Sequence, residues 1–171
     1  MPQSQFVREQ LAAHHDLENF DSGAPEIDSW LRESALRASA RDYSRTYVWH
    51  SGDDRVIAFF SLSAFAITSE ELPKNRARGE QRGIPALLLG KLALDASIQG
   101  KGLSPILIGD AVTEAVKASQ YAAARYLVVD ALNPNLVGLY EKFGFQRTSS
   151  SEDSRTRLFA RIKDLAASLG I

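Results

Sequence analysis

The feature that most constrains the fold is an apolar strand that leads through a glycine-containing loop into a helix. Residues 85–95 read PALLLGKLALD, a strongly apolar run of strand length, and residues 99–104 read QGKGLS. A helical pattern runs from about Ser104 to Ser119, with Ser104 suited to the N-cap and Pro105 to the first helical position. Glycines let the backbone approach an oxygen-rich ligand, and a helix N-terminus favours negative charge. This layout predicts either an anion site suited to a pyrophosphate or a turn that only redirects the chain.

Two common phosphate-binding loops do not fit these residues. The Walker pattern needs Ser or Thr directly after Gly-Lys, and Gly102 stands at that position. The Rossmann pattern GxGxxG needs a third glycine where this chain has Pro105. Both patterns are therefore rejected, and the loop is a strand-to-helix connection of another kind.

The composition bounds the class of protein. The chain has 171 residues, 44% hydrophobic and 24% charged, which suits one domain over residues 1–171 with a substantial core. It has no cysteine, and this excludes disulfides, thiolate metal sites and a cysteine nucleophile. No apolar run approaches the ~18 residues of a membrane helix, and the N-terminus MPQSQFVREQ lacks the order of a secretory signal. We therefore expect a cytoplasmic protein that does not bind membranes.

The remaining pattern predicts a β-rich first half followed by alternating strands and helices. Apolar residues after Gly23 and Pro25 recur at helical spacing, whereas Lys74–Gly83 is a polar, basic connection. Further strand-like segments are RTYVWH and RVIAFFSLSAFAI, joined by SGDD, then RYLVVDAL and Arg155–Arg161. NPNLVGLYEKFGF predicts a short helix that ends at Gly144, and KDLAASLGI predicts a terminal turn or helix. This order predicts an α/β fold, a mixed sheet flanked by helices.

The net charge of −1 conceals two basic segments. One lies within Arg32–Arg45 and the other within Lys74–Lys91, and each holds more basic than acidic residues. The arginines that are candidates for a phosphate-binding rim are Arg37, Arg41, Arg76, Arg78 and Arg82. The alternative is an ordinary solvated surface, where the stems of such side chains shield the edge of the core.

The residues that follow the loop give it a more specific meaning. The loop has the form Gln-x-x-Gly-x-Ser after an apolar strand, Asn133 precedes Tyr140 by seven residues, and Tyr140 begins the segment YEKFGF. In this combination the chain resembles the GNAT superfamily of acetyl-CoA-dependent N-acetyltransferases. The resemblance implies a mixed, mostly antiparallel sheet and acetyl-CoA as co-substrate. Ser104 departs mildly from the Gly or Ala that is usual in the family.

The resemblance also implies a role for each matching residue. Tyr140 would be the general acid that protonates the departing thiolate, although taken alone it also fits a core tyrosine. The residues implied to bind acetyl-CoA are the strand end Leu92, Ala93 and Leu94 at the pantetheine arm, Gln99, Gly100, Lys101, Gly102, Leu103 and Ser104 at the pyrophosphate, and Asn133 at the pantetheine.

Two longer stretches narrow the resemblance to the toxin branch of the superfamily. They are FDSGAPEIDSWLRESALRASARDYSRTYV near the start and IPALLLGKLALDASIQGKGLS in the middle. The resemblance implies a toxin that acetylates the α-amino group of aminoacyl-tRNA, inhibits translation, is neutralised by a ribbon-helix-helix antitoxin and forms a homodimer. Two alternatives stay open: an acetyltransferase of a protein N-terminus or small-molecule amine, and a catalytically idle acetyl-CoA-binding regulator.

No convincing general base emerges from the sequence. Asp95, His50 and Glu141 are possible, but each also fits a structural or solvated role. A free α-amine has a pKa near 7.7–8.0, so roughly a tenth is neutral at pH 7, whereas a lysine near 10.4 is almost wholly charged. The missing base therefore favours an α-amino acceptor. His14, His15 and His50 look scattered, without the spacing of metal ligands, and no metal is expected.

Overall fold

The computed structural model describes residues 6–149 and 156–171. Their seven strands form one sheet in the order β1-β2-β3-β4-β5-β7-β6. The strands are β1 Val7–Gln10, β2 Arg45–His50, β3 Ala58–Thr68, β4 Gly83–Leu94, β5 Tyr126–Ala131, β6 Gln146–Arg147 and β7 Thr156–Arg161. The α-helices are α1 Pro25–Glu33, α2 Ala35–Ala40, α3 Lys74–Ala77, α4 Ser104–Tyr121, α5 Val137–Lys142 and α6 Ile162–Leu169.

The strand pairing confirms the predicted mixed, mostly antiparallel sheet. β2 pairs antiparallel with both β1 and β3, and β7 pairs antiparallel with both β5 and β6. β4 and β5 are parallel, and their paired residues run from Ala86↔Tyr126 to Leu89↔Val129. The hairpin predicted from RTYVWH and the following apolar run is therefore confirmed as β2 and β3. Within the described residues, no helix has the length and apolar character needed to cross a membrane.

The structure differs from the sequence predictions mainly at short elements. β1, β6 and the short helix α3 were not predicted, and the first predicted helix is divided at Ser34 into α1 and α2. α4 includes Ser104 as its first residue, so Ser104 is not the residue that precedes the helix. Arg155, at the start of the predicted closing strand, lies outside the described residues.

Contacts divide the chain into two compact units. The first comprises the residues up to Ser63 together with Lys91–Gly109. Its core contains Leu31, Val48 and Phe59, all at most 1% exposed. The ring of Phe20 meets that of Phe59 edge to face, at a centroid distance of 5.5 Å. The amphipathic pattern of α1 is explained by this core, because Leu31 and its neighbours on the same face lie in it.

The second unit comprises Ala64–Gly90 and the residues from Asp110 onward. Its core contains Ile67, Ile84, Tyr126 and Phe159, and the rings of the last two meet edge to face at 5.7 Å. β5 is buried along nearly its whole length, as expected for the apolar run RYLVVDAL. The single domain expected over residues 1–171 stays a prediction.

Candidate active site

The loop between β4 and α4 has a backbone that glycine is needed to form. Gly100 and Gly102 have φ angles of +75° and +74°, in the left-handed region that other residues rarely adopt. A Cβ built at either position meets no atom within 4 Å. The two glycines are therefore required by the backbone conformation and not by lack of space.

The backbone amides of this loop are available to a ligand. Gly100, Lys101 and Gly102 are exposed, and among the described residues none of their amides donates a hydrogen bond. Leu103, which is 6% exposed, anchors the end of the loop in the core, and α4 begins at the next residue. The first amides of α4 have no partner within the helix. The loop thus presents several uncommitted N–H groups at the positive end of an 18-residue helix, which suits an anion.

The side chain of Gln99 holds the loop in place. Its Nε2 donates one hydrogen bond to the carbonyl oxygen of Leu94, at 2.9 Å, and one to that of Ser22, at 2.8 Å. Both N–H groups of the side-chain amide are therefore used within the protein. The family resemblance places Gln99 at the pyrophosphate, and the structure favours a role in fixing the loop.

Asp95 is a buried structural carboxylate at the start of the same connection. It accepts hydrogen bonds from the amide of Asp21 at 2.9 Å and from the amide and hydroxyl of Ser97 at 3.0 and 2.6 Å. Burial by itself raises the pKa of Asp95, but these hydrogen bonds and the charge of Arg55 outweigh burial and leave the pKa below its ordinary value. Asp95 is thus a poor general base, because it holds its negative charge and binds protons weakly.

The segment before α1 is tied to this connection by further hydrogen bonds. The amide of Ala96 donates to the carbonyl oxygen of Asp21 at 2.7 Å, in addition to the Gln99 contact with Ser22. The Ser22 hydroxyl donates in turn to Asp28 of α1, at 2.6 Å. Residues 21–23 and 95–99 therefore form one hydrogen-bonded assembly.

The end of β4 forms the buried strand expected to meet the pantetheine arm. Leu92, Ala93 and Leu94 are 7–8% exposed. The ammonium group of Lys91, directly before them, lies 4.4 Å from the ring centroid of Trp30, a cation–π contact. The position of the strand end immediately before the glycine loop is the order that the resemblance implies.

Tyr140 lies in α5 and is 2% exposed. Its ring meets that of Phe145 edge to face, at a centroid distance of 5.6 Å. Burial raises the pKa of Tyr140 above its ordinary value, so the phenol remains protonated through neutral and mildly alkaline pH. This environment suits a proton donor and does not suit a base.

Asn133 is exposed and caps the short turn that precedes α5. Its Oδ1 accepts a hydrogen bond from the amide of Asn135 at 3.0 Å, while its NH₂ group takes no part in this cap. An NH₂ group in such a position is available as a donor to a carbonyl of a ligand, as the resemblance implies for pantetheine.

The five candidate arginines carry charges that the described protein does not neutralise. None of them forms a salt bridge within residues 6–149 and 156–171, and four are exposed, with Arg76 half-buried. Arg37 and Arg41 belong to the first unit, whereas Arg76, Arg78 and Arg82 belong to the second. Uncompensated guanidinium groups are what phosphate binding requires.

The three histidines, which look scattered in the sequence, come together around Glu9, and that interpretation is wrong. His15 Nε2 and His50 Nε2 lie 2.8 and 2.7 Å from the same Glu9 oxygen, and His14 Nε2 lies 3.9 Å from it. Atoms of Glu9, His15, His50 and Asp54 that could bind a metal lie within 4.8 Å of one another. Pairing of β1 with β2 brings Glu9 and His50 together, and the bridge between Asp16 and Arg55 brings the adjoining His15 and Asp54 to them.

The hydrogen bonds of this cluster argue against metal coordination. His15 Nδ1 accepts the amide of Ala12 at 2.9 Å, and His50 Nδ1 accepts the amide of Gly52 at 3.0 Å. Each Nε2 then carries the proton and donates it to Glu9, so its lone pair is not free for a metal. The cluster is therefore best explained as a network that fixes β1 to β2. His50 is engaged in this network and is a poor candidate for the general base.

The Glu9 cluster gives the protein a pH-dependent stability. Hydrogen bonds from His15 and then His50 lower the pKa of Glu9 below its ordinary value of 4.5. Because the folded pKa is the lower one, this stability is present above pH 4.5 and is lost as pH falls through the folded pKa. We expect Glu9→Gln to lower the unfolding temperature near neutral pH, with a difference from the wild type that shrinks below about pH 4.

Thermal unfolding followed by circular dichroism between about pH 7 and pH 3 measures this difference. A constant difference over that range would contradict the role of the carboxylate. A rise in unfolding temperature on adding Zn²⁺ to the wild type would contradict the hydrogen-bond assignment.

The chain has a mixed sheet in which a strand leads through a glycine loop into a helix, and the family that it matches is one of acyltransferases. Residues 11–145 match the acetyltransferase (GNAT) family. The chain belongs to that family, and the resemblance seen in the sequence is confirmed. Acetyl-CoA is accordingly its co-substrate.

One relative has a name that states its activity, and two solved structures are also similar to this chain. The chain is 31% identical over 155 residues to a tRNA-acetylating toxin of Mycobacterium tuberculosis, with 91% of each chain covered. It is similar to a tyrosine-to-phenylalanine mutant of KacT, with a TM-score of 0.86 and 26% identity over 95% of this chain and 98% of the other. It is also similar to AtaT complexed with acetyl-methionyl-tRNAfMet, with a TM-score of 0.84 and 25% identity over 96% and 99%.

Proposed function

We propose that this protein is a toxin that transfers an acetyl group from acetyl-CoA to the α-amino group of aminoacyl-tRNA and so inhibits translation. The observation that carries the proposal is the set of uncommitted amides of Gly100, Lys101 and Gly102 before α4, in a chain related to a tRNA-acetylating toxin. The two relatives named for tRNA cover nearly the whole chain, which supports the same substrate class here.

The residues of the loop fit the charged part of acetyl-CoA. Uncommitted amides and the positive end of α4 suit a pyrophosphate, and the backbone of Leu92–Leu94 is proposed to meet the pantetheine arm. Asn133 is proposed to donate its free NH₂ group to that arm. When bound, acetyl-CoA supplies an activated acetyl group. The task of the protein is to hold this group beside the acceptor and to manage the protons.

Tyr140 is proposed to provide the proton that the thiolate needs as it departs. A phenol whose pKa is raised by burial keeps this proton at the pH of the cell.

Among the described residues, none of the three candidate bases from the sequence is well suited to the role, and this favours an α-amine as the acceptor. Asp95 holds its charge too firmly, His50 is engaged with Glu9, and Glu141 is paired with Arg147 at 3.8 Å. An α-amine with a pKa near 7.7–8.0 is neutral often enough to react without a strong base, whereas a lysine is not. This argument also allows a protein N-terminus or a small amine, which is the second candidate substrate.

The partners follow from the same proposal. A toxin of this branch is expected to be neutralised by a ribbon-helix-helix antitoxin, to act in the cytoplasm, and to form a homodimer. These three expectations stay predictions. The direct test of the first is whether expression arrests growth, whether a gene for a ribbon-helix-helix protein lies immediately upstream, and whether co-expression of that gene relieves the arrest.

Substitutions in the basic connection before β4 test whether the enzyme prefers charged tRNA or a small amine as acceptor. We expect Arg78→Ala with Arg82→Ala to weaken acetylation of charged tRNA and to lower its salt slope by about 1.4–1.8, the value for two lost phosphate contacts. Acetylation of a small amine is expected to be unchanged, because it needs no phosphate contact. The measurement is kcat/KM for both acceptors at several salt concentrations.

The matched control for this variant removes the same charge elsewhere. Lys117 and Lys163 are exposed residues of α4 and α6, and Lys117 is already paired with Glu114 at 3.5 Å. Lys117→Ala with Lys163→Ala is expected to leave the salt slope as it is. A wild-type enzyme that acetylates peptides or polyamines but not charged tRNA would establish the second candidate instead.

A further inference from the structure

The loop between α2 and β2 begins as the C-terminal cap of α2. Asp42, directly after the C-cap residue Arg41, has a φ of +61°, in the left-handed region that Asp adopts more readily than most residues and that commonly follows a helix. Arg45 holds this loop, since its guanidinium donates to Asp42 Oδ1 at 2.8 Å and to the carbonyl oxygens of Ser39 and Ser44 at 3.0 and 3.3 Å. The amide of Tyr43 donates to the carbonyl oxygen of Ala38 at 2.9 Å. The amide of Asp42 donates to the carbonyl oxygen of Ser39 at 3.1 Å, which completes a Schellman cap, so the backbone of Tyr43 is held by hydrogen bonds on both sides of the turn.

This conformation exposes an aromatic ring next to a cation. Tyr43 is 67% exposed, and the guanidinium carbon of Arg41 lies 5.4 Å from its ring centroid. Arg41 is itself exposed, and so is Arg37, one helical turn earlier. Asp42 offsets the charge of Arg45 and not that of Arg37 or Arg41. The loop thus combines a ring accessible to solvent, a cation over it, and a second cation nearby.

This combination matches the chemistry of an unpaired nucleotide. An aromatic ring stacks on a base, an arginine adds a cation–π contact, and nearby guanidinium groups bind the adjoining phosphates. The guanidinium groups of Arg37 and Arg41, which form no salt bridge within the described residues, favour a polyanion such as RNA over a protein surface. The proposed substrate ends in an unpaired 3′ strand that carries the aminoacyl group, so this inference rests on the proposed function.

We infer that Tyr43 and Arg41 form a stacking site for an unpaired base of the aminoacyl-tRNA substrate. The helix cap at Asp42 and the Arg45 contacts hold the backbone that carries Tyr43 in place before tRNA arrives. Tyr43 is then a binding residue that selects RNA with an accessible single strand. Tyr43 increases the affinity for tRNA by stacking on a base, whereas Arg37 increases it by ionic contact with a phosphate.

The test replaces the ring and measures tRNA acetylation by the full-length protein. Tyr43→Ala is expected to lower kcat/KM for charged tRNA by about 5- to 150-fold, the equivalent of about 1–3 kcal/mol for one stacked base. Tyr43→Trp is expected to retain the activity. Neither change is expected to alter the salt slope, since no phosphate contact is lost, or acetylation of a small amine. Arg37→Ala, in contrast, is expected to lower the salt slope.

Tyr121 provides the matched control. It is 93% exposed at the end of α4, and Tyr121→Ala removes an equally large surface ring. Equal tRNA kinetics for Tyr43→Ala and Tyr121→Ala would overturn the stacking site while wild-type tRNA acetylation still upheld the proposed function. Loss of antitoxin binding with intact tRNA kinetics would also overturn it and would assign the ring to a protein. Failure of the wild type to acetylate any tRNA would instead refute the proposed function itself.

Discussion

Replacing Tyr140 with phenylalanine is expected to lower the rate of acetyl transfer about 10²–10⁴-fold, the usual contribution of a general acid. The substitution removes only the hydroxyl, and the ring can keep its contact with Phe145. The affinity for acetyl-CoA is therefore expected to stay close to that of the wild type. Release of free thiol from acetyl-CoA measures the rate, and calorimetry measures the affinity.

The pH profile gives a second readout of the same group. Because burial raises the pKa of Tyr140, the wild-type rate is expected to show no loss from phenol ionisation up to about pH 10, the ordinary pKa of a tyrosine. Tyr126→Phe is the matched control, since Tyr126 is also buried and loses the same hydroxyl. Turnover of Tyr140→Phe equal to that of the control would remove Tyr140 from the chemistry.

Substituting both loop glycines is expected to weaken acetyl-CoA binding most strongly. Left-handed backbone costs other residues roughly 1–2 kcal/mol, or about 5- to 30-fold in an equilibrium. In the double variant Gly100→Ala with Gly102→Ala, the exposed loop of the free protein can relax to another conformation. Binding of acetyl-CoA must then restore φ angles near +75°, and the free energy of binding becomes less favourable by that cost. For two such positions we expect the KM for acetyl-CoA to rise by about 25- to 900-fold, with little change in unfolding temperature.

Gly170→Ala tests whether backbone strain alone explains such a result. Gly170 has a φ of +72° at the end of α6, and a Cβ there also meets no atom within 4 Å. This variant carries the same local cost but is not part of the loop, so its KM should match that of the wild type. Equal KM values for all the variants would show that the loop conformation is not needed for acetyl-CoA.

The long elements could be predicted from the sequence because their patterns are long and regular. β4 and α4 lie within one or two residues of the predicted bounds, and the hairpin of β2 and β3 follows from two apolar runs with a polar turn between them. β1, with the sequence VREQ, has too few apolar residues to show a strand period. It becomes a strand through its pairing with β2, a contact between residues distant in the chain.

The candidate site was predictable in its local parts and not in its long-range ones. The glycine loop and its helix are adjacent in sequence, so their pattern is visible there. The cluster of Glu9 with His15 and His50 spans 6 and 41 residues, and no spacing rule relates positions brought together by strand register. The hydrogen bond from the Gln99 side chain to the carbonyl oxygen of Ser22, 77 residues away, could not be predicted for the same reason.

The bonds that tie residues 21–23 to residues 95–99 have a mechanical consequence. Three groups of the second segment form hydrogen bonds with residues 21 and 22, just before α1: the Asp95 carboxylate, the Ala96 backbone amide and the Gln99 side-chain amide. The loop proposed to bind acetyl-CoA and the start of α1 are therefore mechanically coupled through these hydrogen bonds. We expect a displacement of residues 21–23 to move residues 95–99 as well, and a substitution in either segment to change the conformation of both.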